Sequence, residues 1–199
     1  MLMTPQQFTA LLKAKEKEIR DAIHRVLPVK IGRIAKDHYD DNFRRGGFVD
    51  NGFHPWPITQ RQKYGKGTEA QYGPLLSEHP TLSRSITYVP GDAQVIVGTT
   101  VPYAAVHNQG ADLTITTHPT VTPDMRRFAW AQFFKAGGKS APSGSPAGMW
   151  KALALTKKQK LDITAHVHIP QRKFIGTSQE LNEKIVAKAE NEIKNILYS

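Results

Sequence analysis

Apolar positions recur with helical spacing at both ends of the chain and with a period of two in its middle. Phe8, Leu11, Leu12, Ile19, Ile23 and Val26 mark one helical stripe. Lys15 interrupts it, and its methylenes can lie along an apolar surface. Thr4-Pro5-Gln6-Gln7 has the form of a helix start: a capping threonine, proline at the first helical position and glutamine where a capping box needs it. Pro28 predicts an end or kink. A second helical pattern runs from Val29 to about Phe43, with Ile31, Ile34, Ala35 and His38 on one face. At the other end, Ser178 caps an amphipathic helix carrying Leu181, Ile185, Ala189, Ile193, Ile196 and Leu197.

Between these helices the pattern changes. Gly46-Gly47 stops the second helix, and 44–81 reads as a long connection without a sustained period. Ser85–Val89 and Ala93–Gly98 read as a hairpin turning at Pro90-Gly91-Asp92. Pro102–His107 predicts a short helical turn ended by Asn108-Gln109-Gly110, and Leu113–Thr116 predicts a strand. Asp124–Phe134 predicts a helix dense in aromatics. The stretch 136–149 has the composition of a mobile loop. Leu161, Ile163, Ala165, Val167 and Ile169 alternate with polar residues, as in a half-buried strand that Pro170 ends. The elements predict one α+β domain over 1–199: N-terminal helices (1–43), the long connection (44–81), a sheet region (82–177) and a C-terminal helix (178–197). The strands are expected to form a small antiparallel sheet with helices packed on one side.

Composition removes several chemistries. Without cysteine there is no disulfide, thiol nucleophile or thiolate metal site. No run of eighteen apolar residues predicts a membrane helix, and the first residues lack the pattern of a secretory signal. His166 and His168 share one strand face and could hold a metal if His107 or His118 joined them, although polar residues on a wet face are the simpler reading. There is no G-x-S-x-G elbow and no S-x-x-K pair. Gly65-Lys66-Gly67-Thr68 is only a fragment of a phosphate loop, and Asp40-Asp41 suits a solvated helix face. The expectation is a protein that is not an enzyme and takes no cofactor and no metal.

Charge points toward partners. Lys and Arg number 27 against 17 Asp and Glu, a formal net charge of +10. Such a balance suits nucleic acid, an anionic surface or an acidic protein, and Trp56, Tyr64, Tyr72 and Trp150 could stack on bases. The basic residues are not gathered on a recognition helix, and no helix-turn-helix, RRM, KH or zinc pattern is present, which argues against sequence-specific binding.

The order of short motifs carries a resemblance. Phe53-His54-Pro55-Trp56-Pro57 is followed by Leu75-Leu76-Ser77-Glu78-His79-Pro80-Thr81-Leu82-Ser83-Arg84-Ser85-Ile86. Then come Val95-Ile96-Val97-Gly98-Thr99, Pro102-Tyr103-Ala104-Ala105-Val106-His107-Asn108-Gln109-Gly110 and Ile169-Pro170-Gln171-Arg172-Lys173-Phe174-Ile175-Gly176. The series resembles the phage virion morphogenesis family, the tail-completion or head–tail neck proteins of tailed phages and Mu-like prophages. The chain departs from the family pattern at His79-Pro80-Thr81, at Asn108, and at Gln171 and Lys173.

The resemblance implies a structural protein that completes the tail or joins it to the head. It would assemble with other tail or neck proteins, as a homo-oligomeric ring through which DNA passes, in the host bacterial cytoplasm and then in the virion. A basic DNA-binding protein of a mobile element is the alternative. Trp56, Gly98, Tyr103, His107, Gly110, Pro170, Arg172 and Phe174 are the expected structural and interface residues. Gly98 and Gly110 suit positive φ. Phe174 is read as a core anchor against the sheet near 103–110. Arg172 is read as a clamp on carbonyls or on a neighbouring subunit. Lys157, Lys158 and Lys160 are expected to face away from a DNA channel.

Overall fold

A computed structural model describes residues 3–142, 144–157 and 160–199. Lys158, and Ser143 of the expected mobile loop, lie outside the described residues.

Helix α1 (Pro5–Asp21) begins as predicted. The Thr4 hydroxyl accepts from the Gln7 N–H, and the Gln7 side chain accepts from the Thr4 N–H at 2.9 Å. The helix does not end at Pro28. It passes through a π turn (Ala22–Val26) straight into α2 (Leu27–Arg45). Proline has no N–H and collides with the carbonyl four residues back. The wider turn, in which the Leu27 N–H reaches the Ala22 carbonyl, absorbs the misfit. Gly46 closes α2 in the left-handed conformation, at φ 70°.

The stretch expected as an irregular connection holds small elements. Strands β1 (Gly47–Val49) and β2 (Phe53–Pro55) form a hairpin, followed by α3 (Gln60–Tyr64), a 3-10 turn (Thr68–Gln71) and α4 (Thr81–Arg84). Three-residue strands are too short to show a period, which is why the pattern hides them. Glu180 accepts the N–H groups of Asn51 and Gly52 at this hairpin's turn.

Strands β3 (Thr87–Gly91) and β4 (Gln94–Gly98) pair antiparallel over five residues each. The turn is Asp92-Ala93 rather than Pro90-Gly91-Asp92. Pro90 sits in the ladder opposite Val95, and Ala93 takes φ 52°. Gly32 of α2 lets this hairpin approach closely, because a Cβ there would lie 2.4 Å from the Tyr88 ring. Then follow α5 (Ala104–Gln109), β5 (Ala111–Thr117), α6 (Pro123–Lys135), α7 (Ala147–Leu155), β6 (Ile163–Ile169) and α8 (Gln179–Tyr198). The protein is α+β, and among the described residues the strands form three separate two-stranded sheets, β1-β2, β3-β4 and β5-β6. Two-stranded ribbons are marginal alone, so stability comes from helix packing.

Contacts group the chain into two compact units, Met1–Ala111 with Ile169–Ser199, and Asp112–His168. Reading 1–199 as one domain does not separate the second. In the first unit, Tyr39, Phe43, Phe48, Trp56, Leu82, Ile86, Phe174 and Leu181 form the core. Phe43 is 1% exposed, with its ring centroid 5.5 Å from that of Trp56 and 5.1 Å from that of Phe174.

The second unit is the β5-β6 ribbon with α6 and α7. Ala129, Phe133, Ala147 and Ala154 are buried there, while Phe128, Phe134, Met149 and Leu155 are exposed. The segment 136–149 includes a 3-10 turn at Gly138–Ser140 and enters α7 at Ala147, whose methyl is buried. Lys157 and Lys160 are exposed.

Candidate functional site

The site is built on a piece of chain with no regular structure. Residues 170–176 lie between β6 and α8, outside any strand or helix. Where such a segment is buried, as at Arg172 and Phe174, its backbone groups must be satisfied from elsewhere. The Arg172 N–H donates to the His107 carbonyl at 2.8 Å. The N–H groups of Phe174 and Ile175 both donate to Asn108 Oδ1, at 2.8 and 3.0 Å, and Asn108 Nδ2 donates to the Ile175 carbonyl at 3.0 Å. Trp56 Nε1 donates to the Lys173 carbonyl at 2.8 Å, and the Tyr39 hydroxyl to the Gly176 carbonyl at 3.0 Å. The fully buried Asn42 offers its side-chain N–H to the Phe174 carbonyl at 3.5 Å.

Gly110 makes room for this segment. Its φ of 76° with ψ of 161° is a glycine-only conformation, and a Cβ would lie 2.9 Å from the Gln171 nitrogen. Gly110→Ala is expected to destabilise the fold by about 1–3 kcal/mol, read as a lowered urea midpoint. Gly98→Ala should change the midpoint little. Gly98 does not take the positive φ expected of it, and a Cβ there meets nothing within 4 Å.

Beside the segment lies a cleft of about 280 Å³. Its apolar wall includes Leu75, Leu76 and Leu82, and its polar wall includes Arg61, Tyr103, His107 and Arg172. Helix α5 sets Tyr103 and His107 one turn apart, with their rings edge to face at 5.9 Å. Arg172 is only 6% exposed. Its Nε donates to the Pro57 carbonyl at 3.1 Å, and no ion pair among the described residues includes Arg172. Burial pushes its guanidinium pKa down. Burial, and then the nearby Arg172 charge, lower the His107 pKa below the usual histidine value. Arg61 donates through Nη2 to the Leu76 carbonyl at 2.8 Å and the Gly73 carbonyl at 3.3 Å. Arg61 Nε and His107 Nδ1 are buried without a hydrogen-bond partner.

Of the expected site residues, Tyr103, His107 and Arg172 meet in this cleft. Trp56, Gly110 and Phe174 hold the neighbouring segment, and half-buried Pro170 leads into it. Phe174 is buried, but its ring meets Phe43 of α2, and its link to 103–110 runs through Asn108. Arg172 does clamp a carbonyl. Sequence reasoning missed Arg61, Asn42 and Asn108. Asn108 stood out only as a departure from the family pattern, and Arg61 carried no signal.

The metal candidate does not assemble. Across β5-β6, His168 faces Asp112 at 2.6 Å, His166 faces Thr114 at 2.9 Å and His118 faces Asp162 at 2.7 Å. These are antiparallel cross-strand pairs on an exposed polar face. Among the described residues, no three His, Asp or Glu side chains are placed to hold a metal ion. No described helix is long and apolar enough to cross a membrane.

No curated protein and no solved structure matches the chain. The profile of one family matches residues 25–194, from the π turn to the last turns of α8. That span takes in the motifs gathered around the cleft and leaves out α1, and on it the chain belongs to the phage virion morphogenesis family.

Proposed function

We propose that this protein is a structural component that completes the phage tail or joins it to the head, acting as a ring of identical subunits without a catalytic step. Family membership supports a morphogenesis role and contact with other virion proteins. The observation that carries docking is α1. It runs for 17 residues without one buried side chain, and Phe8 and Leu12 are each 54% exposed. An apolar stripe left in water on an ordered helix is a surface for another protein. Phe128, Phe134, Met149 and Leu155 are exposed as well. On this reading the protein assembles in the host cytoplasm and ends in the virion at the head–tail junction, where DNA passes through the ring.

The net charge of +10 favours a second reading, a basic DNA-binding protein of a mobile element. Several cations are already engaged, among them Arg20 with Glu16, Lys30 with Glu192 and Lys36 with Asp40. The test measures native mass and salt-dependent DNA retention on one sample. It also measures incorporation into particles for the parent and for a Phe8→Ser, Leu12→Ser variant. Oligomers with weak DNA retention, and loss of the variant from particles, are expected. A monomer whose DNA affinity falls steeply with salt would favour the second reading.

A further inference from the structure

We infer that the cleft lined by Arg61, His107 and Arg172 is a carboxylate-binding site, filled in the assembled particle by an acidic side chain of a partner protein. The site's existence follows from the cleft alone. The source of the carboxylate rests on the docking role proposed above.

Three observations converge. Arg172 is 6% exposed as a residue and lines the cleft, yet no described carboxylate lies within ion-pair distance of it. A buried guanidinium without an anion is strongly disfavoured, so a chain that keeps one has a use for it. Second, of the three buried polar atoms without a partner among the described residues, Arg61 Nε and His107 Nδ1 belong to residues that line this cleft, while the third, His38 Nε2, lies on α2 away from it. Buried polar atoms without partners are rare, and two of the three belong to residues of this one cleft. Third, the carbonyls of Pro57, Gly73 and Leu76 already engage these two arginines. These bonds hold the guanidinium groups in place before any ligand arrives, which lowers the ordering cost of binding.

Size and shape select the ligand. A cleft of about 280 Å³ has room for one side chain. Leu75, Leu76 and Leu82 would cover the methylenes of a glutamate or aspartate while its oxygens meet the arginines. Planar guanidinium groups match a carboxylate through paired N–H donors.

The test uses the purified full chain, with acetyl-glutamyl-amide and inorganic phosphate as probes. Binding is followed by thermal shift and by the NMR titration of the His107 ring. Arg61, His79, Tyr103 and Arg172 are the other titratable groups lining the cleft. The glutamyl probe is expected to raise the melting temperature and the His107 pKa together, since an anion favours the protonated ring. Arg172→Gln should weaken binding about tenfold or more. His107→Gln serves as a second variant, and the His107 titration in the unmutated protein needs no variant. No response to the glutamyl probe, or a response unchanged in both variants, overturns the site. Tighter binding of phosphate than of the glutamyl probe overturns the carboxylate assignment. If the isolated chain binds the glutamyl probe but the Arg172→Gln protein still enters particles normally, the partner as its source is wrong while the site stands. Failure of docking itself shows separately, as absence of the parent protein from particles.

Discussion

Phe174→Ala is expected to destabilise the protein by about 3–5 kcal/mol, the usual loss when a buried phenylalanine is truncated. Phe174 is 1% exposed, and its ring packs on Phe43, the residue that also meets Trp56. Removing it opens a cavity among large side chains anchored on α2 and on the chain after β2. These anchors are rigid, so the cavity cannot close by a small shift. The backbone around Phe174 is fixed as well, because its N–H and that of Ile175 are held by Asn108. For a chain of this size the loss corresponds to about 2–4 °C of melting temperature per kcal/mol. Thermal and urea unfolding followed by circular dichroism measure it. A variant as stable as the parent would mean that the ring does not lie in the core.

Asn108→Ala should have the second-largest effect, about 2–4 kcal/mol, although the side chain is small and only partly buried. One amide closes three hydrogen bonds to the 174–175 backbone. Alanine leaves two N–H groups and one carbonyl without these partners. Each buried polar group left unpaired costs about 1–3 kcal/mol, and water reaching part of the gap reduces the sum. Gln109→Ala is the control, since that residue is exposed and an ordinary surface substitution changes stability by about 0.5 kcal/mol or less. Equal midpoints for the two variants in urea would show that the Asn108 bonds do not hold the segment. Loss of this clamp should also loosen Arg172, whose backbone N–H meets the His107 carbonyl one residue before Asn108.

Elements whose information is local were legible in the sequence. The Thr4 and Ser178 caps act within one turn, so the residues that make them are neighbours. The terminal helices and the strand ending at Ile169 follow periods of apolar residues that any packing partner would require. The order of motifs was enough to suggest the family. What neither a cap nor an apolar period records was not legible. Pro28 stays inside a helix because a π turn relieves it, and the hairpin turns at Asp92-Ala93 because β3 and β4 pair over five residues. Short strands within 44–81 exist through their partners and not through their own pattern. Tyr103 and His107 could be placed on one helix face from their spacing. That Arg172 joins them, with Arg61 from a third element, required the chain to fold back across more than sixty residues. Local chemistry decided the elements and long-range packing decided the cleft. A capping bond needs only neighbours in sequence, whereas a buried arginine with no carboxylate beside it among the described residues is defined by everything that surrounds it.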